Sequence, residues 1–273
     1  MPFFVQSLED WEQAGVPGLL SVLIPAHNEE AVIAGTVESF AAALVAAAIP
    51  HEILVINDNS RDRTEAILLE LEARIPTLRH LNNEPPNGFG FAIRRGLAEF
   101  RGACVALVMA DASDDPQDLV AFYRKWTEGY DCVFGTRFSR KSKVVDYPWR
   151  KLLLNRFGNW LIKLVIWTRY NDTTNAFKLY GRNVIAGVQP FLSYQFNILA
   201  ELPLKAIVRG FRYAVLPNNW YNRKAGVSKF KIKELGSRYL FVIFYCLLER
   251  LLSRGDLKPR AELKRSQLQT WHR

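Results

Sequence analysis

Apolar residues recur with two different rhythms along the first half of the chain. Short runs rich in Val, Ile and Leu at residues 19–25, 52–58, 78–82, 104–110 and 131–136 alternate with longer stretches at 29–48, 61–74, 89–100 and 116–128. In the longer stretches apolar positions return every three or four residues. Five strands joined by four helical crossovers form the pattern of βαβ units and predict a mostly parallel sheet flanked by helices. In such open α/β sheets ligands settle beyond the carboxyl ends of the strands. Three of the predicted strands run out there into polar clusters: Pro25-Ala26-His27-Asn28-Glu29, Asn57-Asp58-Asn59-Ser60 and Asp111-Ala112-Ser113-Asp114-Asp115. These clusters are expected to meet in one crevice.

With 273 residues, 49% of them hydrophobic, the chain can bury a substantial core. Cys104, Cys132 and Cys246 are far apart and include no C-x-x-C pair, which excludes a disulfide framework and a zinc ribbon and points to a reducing compartment. No apolar run reaches the roughly 18 residues that a spanning helix needs, and the first residues lack a basic n-region, so neither a membrane span nor secretion is expected. Charge changes the picture more. Residues 1–136 hold 9 Lys and Arg against 20 Asp and Glu, whereas residues 137–273 hold 27 against 7. A first half built around carboxylate chemistry and a second half facing phosphates or acidic lipid would explain the division; solvated charged faces would too.

Phosphate fingerprints are poor. Gly88-Phe89-Gly90 begins like G-x-G-x-x-G, but Ile93 stands in the last place, the segment follows the third strand, and no P-loop occurs. The acidic run after residue 110 is better evidence, because Mg²⁺ is commonly held by one or two carboxylates with the remaining ligands from phosphate and water. Asp114 or Asp115 also suits an N-cap ahead of Pro116, a role that Asp111 cannot fill.

Ser21-Val22-Leu23-Ile24-Pro25-Ala26-His27-Asn28-Glu29-Glu30, Ile56-Asn57-Asp58-Asn59-Ser60-Arg61-Asp62-Arg63-Thr64, and Val108-Met109-Ala110-Asp111 ahead of Asp114-Asp115-Pro116 resemble the family 2 glycosyltransferases of GT-A fold. Phe134-Gly135-Thr136-Arg137-Phe138, Trp149-Arg150-Lys151, Asp172-Thr173-Thr174-Asn175-Ala176-Phe177 and Arg223-Lys224-Ala225-Gly226-Val227-Ser228-Lys229 resemble the dolichol-phosphate mannose synthase branch, which glycosylates polyprenyl phosphates. The resemblance implies a GT-A domain over residues 1–230, followed by an amphipathic helix and basic tail over 231–273. It implies an inverting transfer of a sugar from GDP-mannose or a UDP-sugar to a polyprenyl phosphate, with Mg²⁺ or Mn²⁺ as cofactor, by a protein peripherally bound to the cytoplasmic face of the membrane.

By position, Pro25, His27 and Glu29 would line the nucleoside pocket, with His27 where the family more often has Tyr, and Ile56 and Asp58 would meet the base. Arg137, Arg150, Arg223 and Lys229 would contact donor or acceptor phosphates. The family's D-x-D would fall on residues 110 and 112, but this chain has Ala110-Asp111-Ala112. The cation is therefore assigned to Asp111 and Asp114, with Asp115 as a substitute; loss of metal dependence is the alternative.

The chemistry narrows the acceptor. A departing diphosphate is stabilised by a divalent cation and by fixed cations, a role that suits Arg223 and Lys229. A phosphate monoester, with a second pKa near ~6, is already ionised at neutral pH and needs no general base. A saccharide hydroxyl would need one, and Glu201 or Asp115 would then be indispensable. In the related enzymes a carboxylate on the helix of Glu201 faces the crevice; a surface position on an amphipathic helix explains that residue equally well. Residues 151–167 and 239–252 are amphipathic, rich in aromatic and aliphatic side chains and interrupted by Lys, Arg and Glu. Such helices suit the headgroup region of a membrane, a protein core or an oligomer interface. No nucleic-acid-binding pattern appears. A non-catalytic anion-binding protein is the last alternative.

Overall fold

The structure is a computed structural model that describes residues 15–222, 232–253 and 255–257, with side chains for all of these except residues 150–151 and 232–235. All five predicted strands form: β1 (Val16–Ala26), β2 (His51–Asn57), β3 (Leu78–Asn82), β4 (Gly102–Leu107) and β5 (Cys132–Thr136). So do the four crossover helices α1 (Ile33–Ala46), α2 (Thr64–Glu72), α3 (Phe89–Glu99) and α4 (Pro116–Thr127). The strands are apolar without alternation because both faces are covered. In β1, Leu20, Val22 and Ile24 pack against α1 and α4, while Leu23 faces the opposite layer of α3 and the later helices; β2 divides in the same way, with Ile53 and Val55 on one side and Leu54 and Ile56 on the other.

The seven-stranded sheet has the order β3-β2-β1-β4-β7-β5-β8. β1 pairs in parallel with both β2 and β4. The sequence predicts β4 and β5 as consecutive parallel strands. Instead β7 (Lys178–Gly181) lies between them and runs antiparallel to both, and β8 (Tyr213–Pro217) adds in parallel outside β5. A pair of short strands, β6 (Val144–Val145) and β9 (Trp220–Tyr221), forms a separate ribbon.

Three further helices close the opposite layer and one flank: α5 (Trp149–Ile166), α7 (Ile198–Val208) and α8 (Ile232–Leu252), with the short α6 (Arg182–Gly187) after β7. Ile162 and Ile166 of α5, Ala200 and Leu204 of α7, and Val242, Ile243 and Cys246 of α8 form a core of their own. Among the described residues no helix is long and apolar enough to cross a membrane. Cys104, Cys132 and Cys246 are buried and unpaired. The basic tail expected after residue 257 lies outside the described residues.

Candidate active site

The ends of β1, β2 and β4 border one cavity of about 840 Å³. Pro25, Ala26, His27 and Glu29 reach it from the first loop, Asp58 and Asn59 from the second, and Ala110, Asp111, Ser113 and Asp114 from the third. The three polar clusters do meet. Each loop turns through a residue of positive φ: Asn28 at 55°, Asn59 at 56° and Ala112 at 57°. Asn tolerates this conformation, but alanine there costs roughly 1–2 kcal/mol, so strain sits beside the acidic cluster.

Backbone and side chains fix the end of the cavity beside His27 and Asp58. His27 Nδ1 lies 2.5 Å from the Asp58 carbonyl, which can only accept, so this nitrogen carries the proton. Its Nε2 faces the Asn28 amide nitrogen at 3.2 Å, and that amide is oriented because its oxygen accepts from the Arg61 N–H at 2.7 Å. The buried Asp58 carboxylate accepts from the Gly88 N–H at 2.9 Å and from Asn83 Nδ2 at 2.8 Å. Gly88 has φ 137°, which suits a residue without Cβ, and Gly90 packs so tightly that a Cβ would lie 2.3 Å from the Tyr194 carbonyl carbon. The two glycines that fail as a phosphate fingerprint thus set the approach of α3 to the cavity.

The acidic side is a pair of buried carboxylates. Asp111 Oδ1 accepts from the Ser113 N–H at 3.2 Å, and Asp114 Oδ2 from the Met109 N–H at 3.1 Å. Burial, reinforced by the negative charge of Asp111, pushes Asp114 up to about 7. Asp115 turns away, caps α4 by accepting from the Gln117 N–H at 3.0 Å, and receives Asn219 Nδ2 at 3.1 Å. That settles which aspartate is the cap and corrects the expectation that Asp115 could serve as a metal ligand.

Opposite these acids Arg137 lines the cavity already paired. Its Nε donates to Asp172 Oδ2 at 2.9 Å and its Nη2 to Oδ1 at 2.7 Å. Burial alone would lower its proton affinity, but the carboxylate more than restores it. The following loop supplies Thr174, Asn175 and Ala176 to the cavity. Two asparagines of α5 hold that loop: Thr173 N–H donates to Asn159 Oδ1 at 2.6 Å, and Thr174 Oγ1 donates to Asn155 Oδ1 at 2.7 Å. Beneath it the fully buried Lys178 Nζ donates to the Thr173 and Leu199 carbonyls at 3.0 and 3.3 Å and to that of Asn175.

The family model described as glycosyl transferase family 2 matches residues 21–202. The chain belongs to that family. A polyprenol monophosphomannose synthase of Mycolicibacterium smegmatis is 28% identical over 244 residues, 80% of this chain and 86% of that protein. The uncharacterized glycosyltransferase YkcC of Bacillus subtilis is 30% identical over 124 residues, which span 45% of this chain but 38% of that protein. Glucosyl-3-phosphoglycerate synthase from Mycobacterium tuberculosis, solved with Mn²⁺, UDP and phosphoglyceric acid, superposes with a TM-score of 0.65 at 19% identity, covering 89% of this chain and 82% of that one. The fold is therefore GT-A, and the protein is a glycosyltransferase.

Not every residue expected at this glycosyltransferase's site reaches it. Ile56 packs in the core layer on the side of α3 and does not line the cavity, whereas Asp58, in the loop after β2, does. Glu201 is fully buried away from the cavity. It accepts from the Leu192 and Ser193 N–H groups at 2.7 Å each and pairs with Lys205 at 2.7 Å, so its expected catalytic role is corrected to a structural one. Arg223 and Lys229, and the side chain of Arg150, lie outside the described residues. Among the described residues no group of three or more His, Cys, Asp or Glu side chains is placed to hold a metal ion.

Sequence reasoning missed Asn155, Thr174, Tyr147 and Tyr239, all of which line the cavity. Asn155 could have been noticed as a polar break in the apolar pattern of 151–167. It also missed that half of the cavity is apolar, walled by Leu154, Leu161 and Ile162 of α5, Phe196 and Leu199 at the start of α7, and Leu240 and Ile243 of α8.

Proposed function

We propose that this glycosyltransferase moves a sugar from a nucleotide diphosphate to a polyprenyl phosphate at a membrane surface, inverting the anomeric centre. One observation carries the reading: a single cavity joins an end lined by carboxylates and backbone amides to an end lined by leucine, isoleucine and aromatic side chains. A nucleotide sugar suits the first end, and an acceptor with a charged head and a long hydrocarbon tail suits the whole. The name of the Mycolicibacterium smegmatis relative, a polyprenol monophosphomannose synthase, supports the lipid acceptor.

The donor occupies the end formed by His27, Asp58 and the Gly88 amide, where Asp58 is held rigidly enough to accept from a base N–H. Asp111 and Asp114 suit a divalent cation: both are hard oxygen donors, and their buried repulsion, which raises Asp114, is relieved by positive charge. Mg²⁺ or Mn²⁺ held there would neutralise the charge that develops on the leaving diphosphate. Arg150, Arg223 and Lys229 are assigned to the phosphates. Arg137, its charge compensated by Asp172, orients a phosphate through hydrogen bonds. The acceptor phosphate, ionised at neutral pH, attacks the anomeric carbon from the side opposite the diphosphate and needs no proton acceptor. The glucosyl-3-phosphoglycerate synthase fold mate was crystallised with a small polar acid instead. A hydroxyl acceptor of that type requires a base, and Glu201 and Asp115, the acids considered for it, are both committed elsewhere.

The test offers the purified protein labelled GDP-mannose and UDP-sugars with Mg²⁺, together with undecaprenyl or dolichyl phosphate in mixed micelles, or with phosphoglyceric acid. Label transferred to lipid, and abolished by chelation, is expected. Transfer to the small acid alone, or to neither, would overturn the reading.

A further inference from the structure

We infer that the donor is a uridine nucleotide and not a guanosine nucleotide, and that Asn83 sets this choice by occupying one oxygen of the Asp58 carboxylate. The inference rests on the reading that Asp58 meets the base of the donor, and adds which base that is.

Asp58 is not free to turn toward whichever base arrives. Its N–H donates to the Ala26 carbonyl at 2.8 Å and its own carbonyl receives His27 Nδ1 at 2.5 Å, so the main chain is held on both sides. The side chain is held as well. Asn83, in the loop after β3, is anchored by its N–H to the Asn57 carbonyl at 2.8 Å and donates from Nδ2 to Asp58 Oδ1 at 2.8 Å. The Gly88 N–H, at the entry to α3, is shared between Asp58 Oδ2 at 2.9 Å and Oδ1 at 3.2 Å. Asn83 does not line the cavity, whereas Asp58 and Gly88 do, so Asn83 is a positioning residue that acts through the carboxylate.

A carboxylate offers about four acceptor positions, two on each oxygen. Both positions on Oδ1 are taken, one by the Asn83 amide and one by the Gly88 N–H, and the Gly88 N–H also takes one on Oδ2. A ligand is left with one oxygen. The bases differ in how many donors they bring to it. Uracil presents a single N–H, at N3, between two carbonyls. Guanine presents its N1–H and its 2-amino group side by side, a pair of donors that requires both oxygens of a carboxylate at once. Set against Asp58, the 2-amino group meets the Asn83 amide, donor against donor, and stays unpaired in a buried site. Cytosine carries no proton at N3 and turns a lone pair toward the carboxylate. Among these bases only uracil matches a single free acceptor.

Calorimetry on the full chain with Mg²⁺ and four diphosphates, UDP, CDP, GDP and IDP, tests the inference without an acceptor. UDP should bind at least about tenfold more tightly than GDP or CDP, the loss expected when a buried polar group is left unmatched. IDP keeps the purine ring and the N1–H of GDP but lacks the 2-amino group, and it should bind at least as tightly as GDP, which separates hydrogen bonding from ring size. Asn83→Ala frees Oδ1 and should raise the affinity for GDP relative to IDP by at least about fivefold, as a bidentate contact would. GDP binding more tightly than IDP to the unaltered protein, or as tightly as UDP, overturns the inference, and so does CDP binding as tightly as UDP. An unchanged ratio of GDP to IDP in Asn83→Ala, with its thermal unfolding intact, overturns the part given to Asn83; where that variant does not fold, the four nucleotides on the unaltered protein decide. A preference for GDP leaves the transfer to polyprenyl phosphate standing, whereas failure to bind any of the four overturns the donor site and the proposed function with it.

Discussion

Glu201 and Lys205 lie one turn apart on α7, both fully buried, with an oxygen and a nitrogen 2.7 Å apart. The carboxylate gathers two more donors from Leu192 and Ser193, and the ammonium donates to the Pro190 carbonyl at 2.5 Å. The pair therefore fastens the loop ahead of α7, which supplies Gln195 and Phe196 to the cavity. Removing one member of a buried pair leaves the other charge without compensation, at a cost of roughly 3–5 kcal/mol, whereas removing both is often close to neutral. Glu201→Gln should thus lower unfolding free energy by an amount of that order in urea denaturation, and Glu201→Gln combined with Lys205→Met should recover most of it. Below the midpoint the folded fraction of Glu201→Gln should keep its nucleotide affinity, because no atom of Glu201 lines the cavity. A general-base role would predict the reverse: stability little changed and transfer lost.

Glycines decide similar matters for whole helices. A Cβ at Gly90 in α3 would lie 2.3 Å from a backbone carbon of Tyr194, and neither group can rotate away, whereas a Cβ at Gly158 in α5 meets nothing. Gly90→Ala is expected to cost about 1–3 kcal/mol through overpacking. Gly158→Ala should gain about 1 kcal/mol, the ordinary helical preference for alanine. Thermal unfolding of the two variants side by side checks both signs. What the sequence discloses follows the same division between local and distant causes. β1, β2 and β4 were legible because strands covered on both faces are continuously apolar, and the loops after them carried the polar clusters that do meet. β7 was not legible: it has four residues and opens on Lys178, a side chain that is buried because the carbonyls of Thr173, Asn175 and Leu199 receive its Nζ. The apolar half of the cavity was equally hidden. Residues 151–167 and 239–252 could be read as amphipathic, but which of their faces meet depends on contacts 80 or so residues apart.

At the scale of the molecule the apolar residues left outside are not scattered. On and just beyond α5 they are Trp149, Leu153, Phe157, Trp160, Leu164 and Trp167, spaced three or four residues apart, and on α8 they are Leu240, Phe241, Phe244, Leu248, Leu251 and Leu252. The two helices pack together, so the stripes adjoin, and Arg156 and Lys163 are exposed on α5. Soluble monomers rarely show continuous apolar patches above a few hundred Å². The proposed lipid acceptor gives this one a purpose, since docking on a bilayer would bring the mouth of the cavity to the substrate. Each exposed Phe or Leu that enters the acyl boundary contributes about 1.5–3 kcal/mol, and each Lys or Arg near an anionic surface about 1 kcal/mol more. Phe157→Glu and Phe244→Glu should therefore each weaken sedimentation with phosphatidylglycerol vesicles by at least about tenfold. Raising the salt should weaken binding of the unaltered protein without abolishing it, because screening removes only the electrostatic part. Binding to neutral vesicles should persist at lower affinity. A protein that ignores both kinds of vesicle yet sediments as a dimer, reverting to monomer on Phe157→Glu, would show that the stripes face a second copy and that the acceptor is not drawn from a membrane.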